Sequence, residues 1–263
     1  MMRALWTSAT GMQAQQMNID VVANNLANVN TAGFKRSRTD FQDLLYQTMR
    51  APGSETSQAG TQVPVGIQLG HGVRAVSVSK MFTQGDYNQT GNQLDLAIEG
   101  RGFFQIQMPD GSTGYSRDGT FKMDETGQVV TSDGYPLEPG LVVPQEAVQV
   151  TVGPDGSVNV ILPDNVEPVN IGNVQLATFV NPAGLTALGR NLFQESGASG
   201  NPIIGDPGTD GVGTIQQGYL EMSNVNMVEE MVQMIAGQRA YEISSKGIRT
   251  ADEMLSTATQ LKR

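Results

Sequence analysis

His71 is the only histidine among the 263 residues, and the chain has no cysteine, so few side chains are available for nucleophilic, metal-based or proton-relay chemistry. His71 stands in Leu69-Gly70-His71-Gly72-Val73, which reads as a turn or strand edge. One imidazole does not make a metal site. Without neighbouring acids or nucleophiles it reads as structural or exposed rather than catalytic. Gly100-Arg101-Gly102 and the repeated Asp-Gly pairs resemble neither a dinucleotide loop nor a phosphate loop, which need a strand before and a helix after. Asp118-Gly119 with Asp124-Glu125 misses the spacing of a calcium-binding loop, and Ser132-Asp133-Gly134 suits a hairpin better than a nucleophile. No catalytic residue, cofactor site or metal site is therefore expected, and the chain does not read as an enzyme.

The charge pattern narrows the partners. The formal net charge is −10, and residues 51–220 hold six basic against seventeen acidic side chains, while both ends are nearly balanced. Phosphate binding needs a basic face, so nucleic acid is not an expected partner, and anionic membrane surfaces are disfavoured for the same reason. The longest apolar stretches, such as Leu141-Val142-Val143, fall far short of the roughly 20 residues a membrane helix needs, so no membrane insertion is expected. The start of the chain, MMRALWTSATGMQAQQMN, has neither the apolar block nor the small-residue cleavage site of a secretory signal. The lack of cysteine suits a protein that crosses compartments unfolded.

The elements that must organise such a chain divide into ends and middle. Leu5, Met12, Ile19 and Leu26 recur every seven residues, with Val22 and Val29 in the companion position that Ser8 and Gln15 fill earlier. Seven-residue spacing keeps side chains on one stripe of a helix that seeks a helical partner. Asn30-Thr31-Ala32-Gly33 supplies the stop. At the other end, Met227, Met234, Tyr241, Ile248 and Leu255 form a second seven-residue series, and Val228, Val232, Ile235, Ile243, Met254 and Leu261 add another strip. Asn226, with Glu229 three residues on, is a start signal. Glu229 and Glu230 suit the positive end of the helix dipole, and Lys262-Arg263 the negative end. Two strips exceed what one partner covers. Such a helix is either a core helix of this subunit or one that touches several neighbours at once. The second reading makes Leu5, Met12, Ile19, Val22, Leu26, Val29, Met227, Val228, Met231, Met234, Ile235, Tyr241, Ile248 and Leu255 a polymerisation interface, with methionines filling gaps between shifting contacts.

The middle has no helical period. Asp-Gly at 110–111, 118–119, 133–134, 155–156 and 210–211 marks hairpin turns between short β-type runs, with the alternation from 147 to 161 fitting strands that bury one face. Residues 194–213 are too rich in Gly, Pro and Ser for a regular element and are expected to form a surface loop, as is Ala51–Gly60. Between Tyr46 and Val73 a polar excursion through Pro52 returns along Val63-Pro64-Val65-Gly66-Ile67-Gln68-Leu69, whose apolar residues alternate. This segment is either a loose loop or a long hairpin that reaches onto neighbouring subunits and stiffens an assembly, with Pro64 suiting an edge. The expected fold is α+β, with long terminal helices pairing as a coiled coil. The expected divisions are a helical segment at 1–33, an extended linking region at 34–80, a β-rich outer domain at 81–215 and a helical segment at 216–263.

Five segments carry a family resemblance. Asn24-Asn25-Leu26-Ala27-Asn28-Val29-Asn30-Thr31-Ala32-Gly33-Phe34-Lys35 closely resembles the N-terminal signature of flagellar rod, hook and hook-associated proteins. Ser223–Val232 and Gln238–Glu242 look like the matching C-terminal signature, and Ala97–Phe104 and Tyr115–Phe121 resemble the β-domain motifs of the rod and hook subset. In this order along almost the whole chain, they resemble the flagellar basal-body rod protein family. Hook proteins carry an additional outer domain, and Asp43–Gly53 followed by Pro64–Val73 looks like the insertion of distal rod subunits. A proximal rod or hook-type axial protein is the nearest alternative. The resemblance implies a distal rod subunit that self-assembles into a hollow, rigid helical drive shaft and transmits torque from motor to hook. It implies export by the flagellar type III apparatus without a cleaved signal peptide, and a place in the basal body where the rod crosses the periplasm. The implied partners are further copies of itself, proximal rod proteins, hook protein, a rod cap, and the peptidoglycan and outer-membrane rings. A secreted monomeric β-rich binding protein is the alternative from another class, and its ends would be folded in dilute solution.

Overall fold

The computed structural model describes residues 2–53, 64–163, 165–209 and 211–260. Helix α1 (Met2–Ala27) is followed by strands β1 (Ser37–Asp43), β2 (Tyr46–Arg50), β3 (Ile67–Gly70), β4 (Val73–Lys80) and β5 (Tyr87–Gln89). Next come β6 (Leu96–Glu99), β7 (Phe103–Gln107), β8 (Thr113–Ser116), β9 (Phe121–Met123), β10 (Val129–Thr131) and β11 (Leu137–Glu138). They are followed by β12 (Gln149–Val152), β13 (Ser157–Leu162), β14 (Asn165–Asn173), β15 (Leu176–Thr178), β16 (Thr186–Gly189) and β17 (Leu192–Gln194). The chain closes with β18 (Ile203–Gly205), β19 (Thr214–Gln217), β20 (Tyr219–Glu221) and helix α2 (Met227–Gln260). The class is α+β, with the two helices at the ends and strands between them.

These elements form two compact units. The first joins Met1–Leu26, Ser37–Ser79 and Met227–Arg263, and the second joins Ala27–Arg36 with Lys80–Asn226. In the first unit β1 pairs with β4, and β2 with β3. In the second, a sheet ordered β16-β17-β8-β7-β15-β18, with β11 also on β7, lies with the three-stranded β12-β13-β14 and the pairs β9-β10, β6-β19 and β5-β20.

The core lies in the second unit. Ile98, Phe104, Phe121, Leu176 and Ile215 are among its most buried members, and Phe104 meets Phe121 edge to face at 5.1 Å. A second cluster stacks Phe82, Phe103, Phe179, Phe193 and Tyr115 in edge-on pairs. Alternation works as the pleat requires: Val150, Val152, Val158 and Val160 face inward while Gln149, Thr151, Ser157 and Asn159 face outward or lie part-exposed.

Several expectations are corrected. Helix α1 ends at Ala27, just before the expected Asn30–Gly33 stop, so Val29 lies in the following turn rather than on the helix. The stretch 216–226 is not helical either, because β19 and β20 pair there with β6 and β5. Residues 194–213 contain a regular element: Ile203-Ile204-Gly205 adds to β15 as an edge strand, since two β-branched residues outweigh the flanking Gly and Pro. Asp110-Gly111 and Asp155-Gly156 join paired strands, but Asp118-Gly119 does not. There the chain leaves β8 for β9, which pairs elsewhere, and Gly119 lies so close to the Leu96 carbonyl that no Cβ fits. Val63, most of the Ala51–Gly60 loop, Asp210, Leu261 and Lys262-Arg263 lie outside the described residues.

Candidate assembly interface

Heptad spacing leaves open which column of each terminal helix meets the other. Four contacts within the first unit answer it. A Cβ on Gly11 would stand 3.6 Å from Ser244 Oγ, one on Gly237 3.1 Å from Ile19 Cγ1, and one on Gly247 3.2 Å from Ser8 Oγ. Asn25 Nδ2 donates to Glu230 Oε2 at 3.1 Å. As the α1 position rises through 8, 11, 19 and 25, the α2 position falls through 247, 244, 237 and 230, so the helices run antiparallel.

The α2 column that faces α1 is thus Glu230, Gly237 and Ser244, continued seven residues on by the buried Ala251. Met234, Ile248 and Leu255 beside it are half-buried, while Met227 and Tyr241 are exposed. On α1, Val22 is buried and Leu5, Met12, Ile19 and Leu26 are half-buried. The Asn25–Glu230 contact was invisible in the sequence. Both side chains are buried, and Asn25 also brackets Ser37, donating to its carbonyl at 2.8 Å and accepting from its N–H at 2.9 Å.

Near its start, α2 leaves an apolar strip uncovered. Val228 is 70 % exposed, Met231 49 %, Val232 61 % and Ile235 56 %. Chains that function as monomers rarely leave contiguous apolar strips of this kind in water. The β2–β3 pair shares the character: Tyr46 stands opposite Gly70 and Gln47 opposite Leu69, with a bulge between Thr48 and Arg50. Tyr46, Pro52, Pro64, Val65, Ile67 and Leu69 are all exposed. Among the described residues, no group of three His, Asp or Glu side chains stands close enough to hold a metal ion, and no helix is long and apolar enough to cross a membrane.

The second unit contains a buried ionic knot that pattern reading did not find. Lys35 Nζ lies 2.6 Å from Glu221 Oε1 and donates to the Thr83 carbonyl at 2.7 Å. Arg117 Nη1 reaches Glu221 Oε2 at 3.1 Å, and its Nη2 donates to the Gly100 carbonyl at 2.7 Å. Burial pulls Lys35 and Arg117 below their ordinary pKa values, and the shared carboxylate opposes that pull. Around them Gly33 N–H donates to the Glu221 carbonyl, and Asn224 accepts from Arg36 N–H and donates to the Met81 and Thr83 carbonyls. Gly33 has a φ of 67° and packs on the Arg117–Asp118 backbone, a place where only glycine is relaxed. Lys35 ends the N-terminal motif, Arg117 belongs to the Tyr115–Phe121 motif and Asn224 opens the C-terminal one. Three of the motif-bearing segments therefore converge on one polar centre.

Comparison with known proteins agrees with this convergence. The profile described as "Flagella basal body rod protein" matches residues 5–35, "Flagellar hook protein FlgE/F/G D1 domain" matches 97–160, and "Flagellar basal body rod FlgEFG protein C-terminal" matches 216–261. The chain is 51 % identical to the flagellar basal-body rod protein FlgG of Buchnera aphidicola subsp. Schizaphis graminum, over 99 % of this chain and all of that one. It is 48 % identical to the FlgG of Caulobacter vibrioides over 99 % of this chain and all of its relative. With the flagellar hook-basal body complex protein FlhP of Bacillus subtilis it shares 30 % identity over the full length of both. Its end-to-end likeness to these proteins, together with the three family profiles, shows that the chain belongs to the flagellar basal-body rod protein family, as a structural subunit of the rod and not an enzyme.

Proposed function

We propose that the chain is the subunit of the distal part of the rod. In this reading it polymerises into a hollow, rigid helical shaft that crosses the periplasm and carries torque from motor to hook. Helices α1 and α2 pair as a coiled coil on the inner side of the tube. Leu5, Met12, Ile19, Val22, Leu26, Met227, Val228, Met231, Met234, Ile235, Tyr241, Ile248 and Leu255 supply contacts within and between copies, and Val29 extends that surface from the turn beyond α1. The chain arrives through the flagellar type III export apparatus. It meets proximal rod proteins at one end, hook protein at the other, a rod cap during growth, and the peptidoglycan and outer-membrane rings on its outer side. The β2–β3 pair reaches onto neighbouring copies and resists bending.

The observation that carries this reading is the exposed strip on α2. Among the described residues the strip is exposed, and burying it between copies would release water from apolar surface. The Ile235→Asp variant tests it. Ile235 is 56 % exposed in the free chain, so the change leaves the fold intact, whereas in a polymer it places an unpaired charge in an apolar contact. Polymerisation of the purified chain and swimming of cells carrying the variant should both be lost, while the near-ultraviolet circular dichroism of the β-rich unit is unchanged. Normal rods and normal swimming would refute the proposal.

A further inference from the structure

A cavity of about 440 Å³ opens in the second unit beside the aromatic cluster. Its lining includes Phe82, Phe103, Phe179 and Val180, with Arg101 and Arg117 as the charged members. A mostly apolar hollow of a few hundred Å³ with a small number of polar groups is the common form of a small-ligand site. Phe103 meets Phe82 at 5.4 Å and Phe179 at 5.8 Å, both edge to face, so the aromatic wall is held by its own packing. Among the described residues that line the cavity, none is acidic.

The charges around it do not balance. Lys35 and Arg117 are both buried and share the single carboxylate of Glu221, which leaves one positive charge in excess. The two Nη atoms of Arg117 are engaged by Glu221 and the Gly100 carbonyl, but its Nε is buried without a hydrogen-bond partner. A buried donor left unpaired costs stability unless something accepts from it. The same guanidinium lies 5.5 Å from the Phe103 ring, so the charge adjoins the aromatic wall. Arg101 is exposed and makes no ion pair or side-chain hydrogen bond among the described residues. One buried and one exposed cation call for an anion, and the apolar lining calls for an apolar body to carry it. A doubly charged phosphate fits less well, because its extra charge would be desolvated against hydrocarbon with too few donors to satisfy it.

We propose that this cavity binds a carboxylate carried on a small apolar or aromatic group, with Arg117 Nε–H donating to it and Arg101 completing the charge from the rim. The site is separate from the α2 strip and does not rest on the rod reading. The carboxylate belongs either to a free small acid or to an acidic side chain beside an apolar one in a peptide. The recognising chemistry is the same for both, and the choice of probes separates them.

The test is an NMR titration of the isotope-labelled full chain, kept dilute, read at the Arg117 Nε–H and the Gly102 and Phe103 backbone N–H signals. Hydrocinnamate, a carboxylate on an aromatic body, should shift these signals to saturation, and its neutral amide should bind about tenfold more weakly. Arg101→Gln, at an exposed position, should weaken hydrocinnamate about fivefold and leave the amide unchanged. The capped dipeptides acetyl-Glu-Phe-amide and acetyl-Gln-Phe-amide identify the source. A preference for the glutamyl peptide assigns the site to a protein partner, and its absence assigns the site to a free acid. Equal binding of hydrocinnamate and its amide, or saturation without movement of the Arg117 Nε–H signal, would overturn the proposal. So would displacement of hydrocinnamate by equimolar inorganic phosphate, or no shift at any of the signals. None of these results bears on the rod reading, which the Ile235→Asp variant tests separately.

Discussion

Glu221 is the side chain on which most depends at the residue scale. It is almost completely buried and is shared by two cations, Lys35 and Arg117, that lie 186 and 104 residues away in sequence. Removing one partner from a buried pair leaves uncompensated charge and costs about 3–5 kcal/mol, whereas replacing the whole set by apolar residues can be neutral. Glu221→Ala should therefore lower the urea midpoint of the β-rich unit sharply, while Lys35→Met with Arg117→Leu and Glu221→Leu together should recover most of it. Equal loss in both variants would mean that packing, not charge, is at stake. Asp155 offers a finer test. Its carboxylate accepts from Ser157 Oγ at 2.7 Å and Ser157 N–H at 3.2 Å, which holds its pKa below the ordinary 3.8. A depressed acid contributes stability that is fully present above its unfolded value and is lost as pH falls through the folded one. The β12–β13 turn should thus stay closed at pH 4 and loosen below the usual carboxylate range. A carboxyl NMR titration with its midpoint at or above 3.8 would contradict that. Neither residue stood out in the sequence, because a lone Glu near a strand end and a Ser two places after an Asp are both ordinary.

At the scale of elements, the helix pair shows that small and polar residues join the apolar series at the seam. Seven-residue repeats on both ends pointed to paired helices, but attention to Leu, Met and Ile selected Met227, Met234, Tyr241, Ile248 and Leu255. Glu230, Gly237 and Ser244 face α1 as well, and the small side chains let α2 lie against Ile19 and Ser8. The glycines of the seam are accordingly not equivalent. Alanine favours a helix by about 1 kcal/mol over glycine, so Gly11→Ala, with only an ordinary 3.6 Å contact to Ser244, should raise the thermal midpoint of the helical signal. Gly237→Ala must push Ile19 from 3.1 Å, and should gain little or lose stability in the same circular-dichroism melt. If both raise it equally, the seam is looser than described. The β2–β3 pair is a second element with a mechanical prediction. Deleting residues 46–63 should leave polymerisation possible and make the shaft curved or flexible in electron micrographs, and a shaft as straight as the parent would remove the stiffening role. The pairing itself was one of two readings open from alternation at 63–69, since exposed strands without a buried face carry a weak pattern.

At the scale of the whole molecule, the apolar core and the uncovered α2 strip fall in different units. The apolar core belongs to Ala27–Arg36 and Lys80–Asn226, while the large uncovered hydrophobes of the strip and the β2–β3 pair belong to the other unit. Chains lacking residues 1–25 or 228–263 should accordingly keep a cooperative β-sheet unfolding transition and lose polymerisation. Polymers from either truncation would place the assembly contacts elsewhere. Composition and spacing alone decide the class of this protein: helices at the ends, strands in the middle, no chemistry in the side chains, and motifs that resemble a flagellar rod. Those properties are local or periodic, so each is written within a few turns or strands of chain. What only the tertiary structure decides is non-local. That Lys35 and Arg117 share one carboxylate, that Asn25 finds Glu230, and that Gly237 lies against Ile19 all depend on segments more than 80 residues apart coming together. A buried ion pair leaves no periodic mark on a single stretch of sequence, because each half looks like any polar residue until its partner arrives.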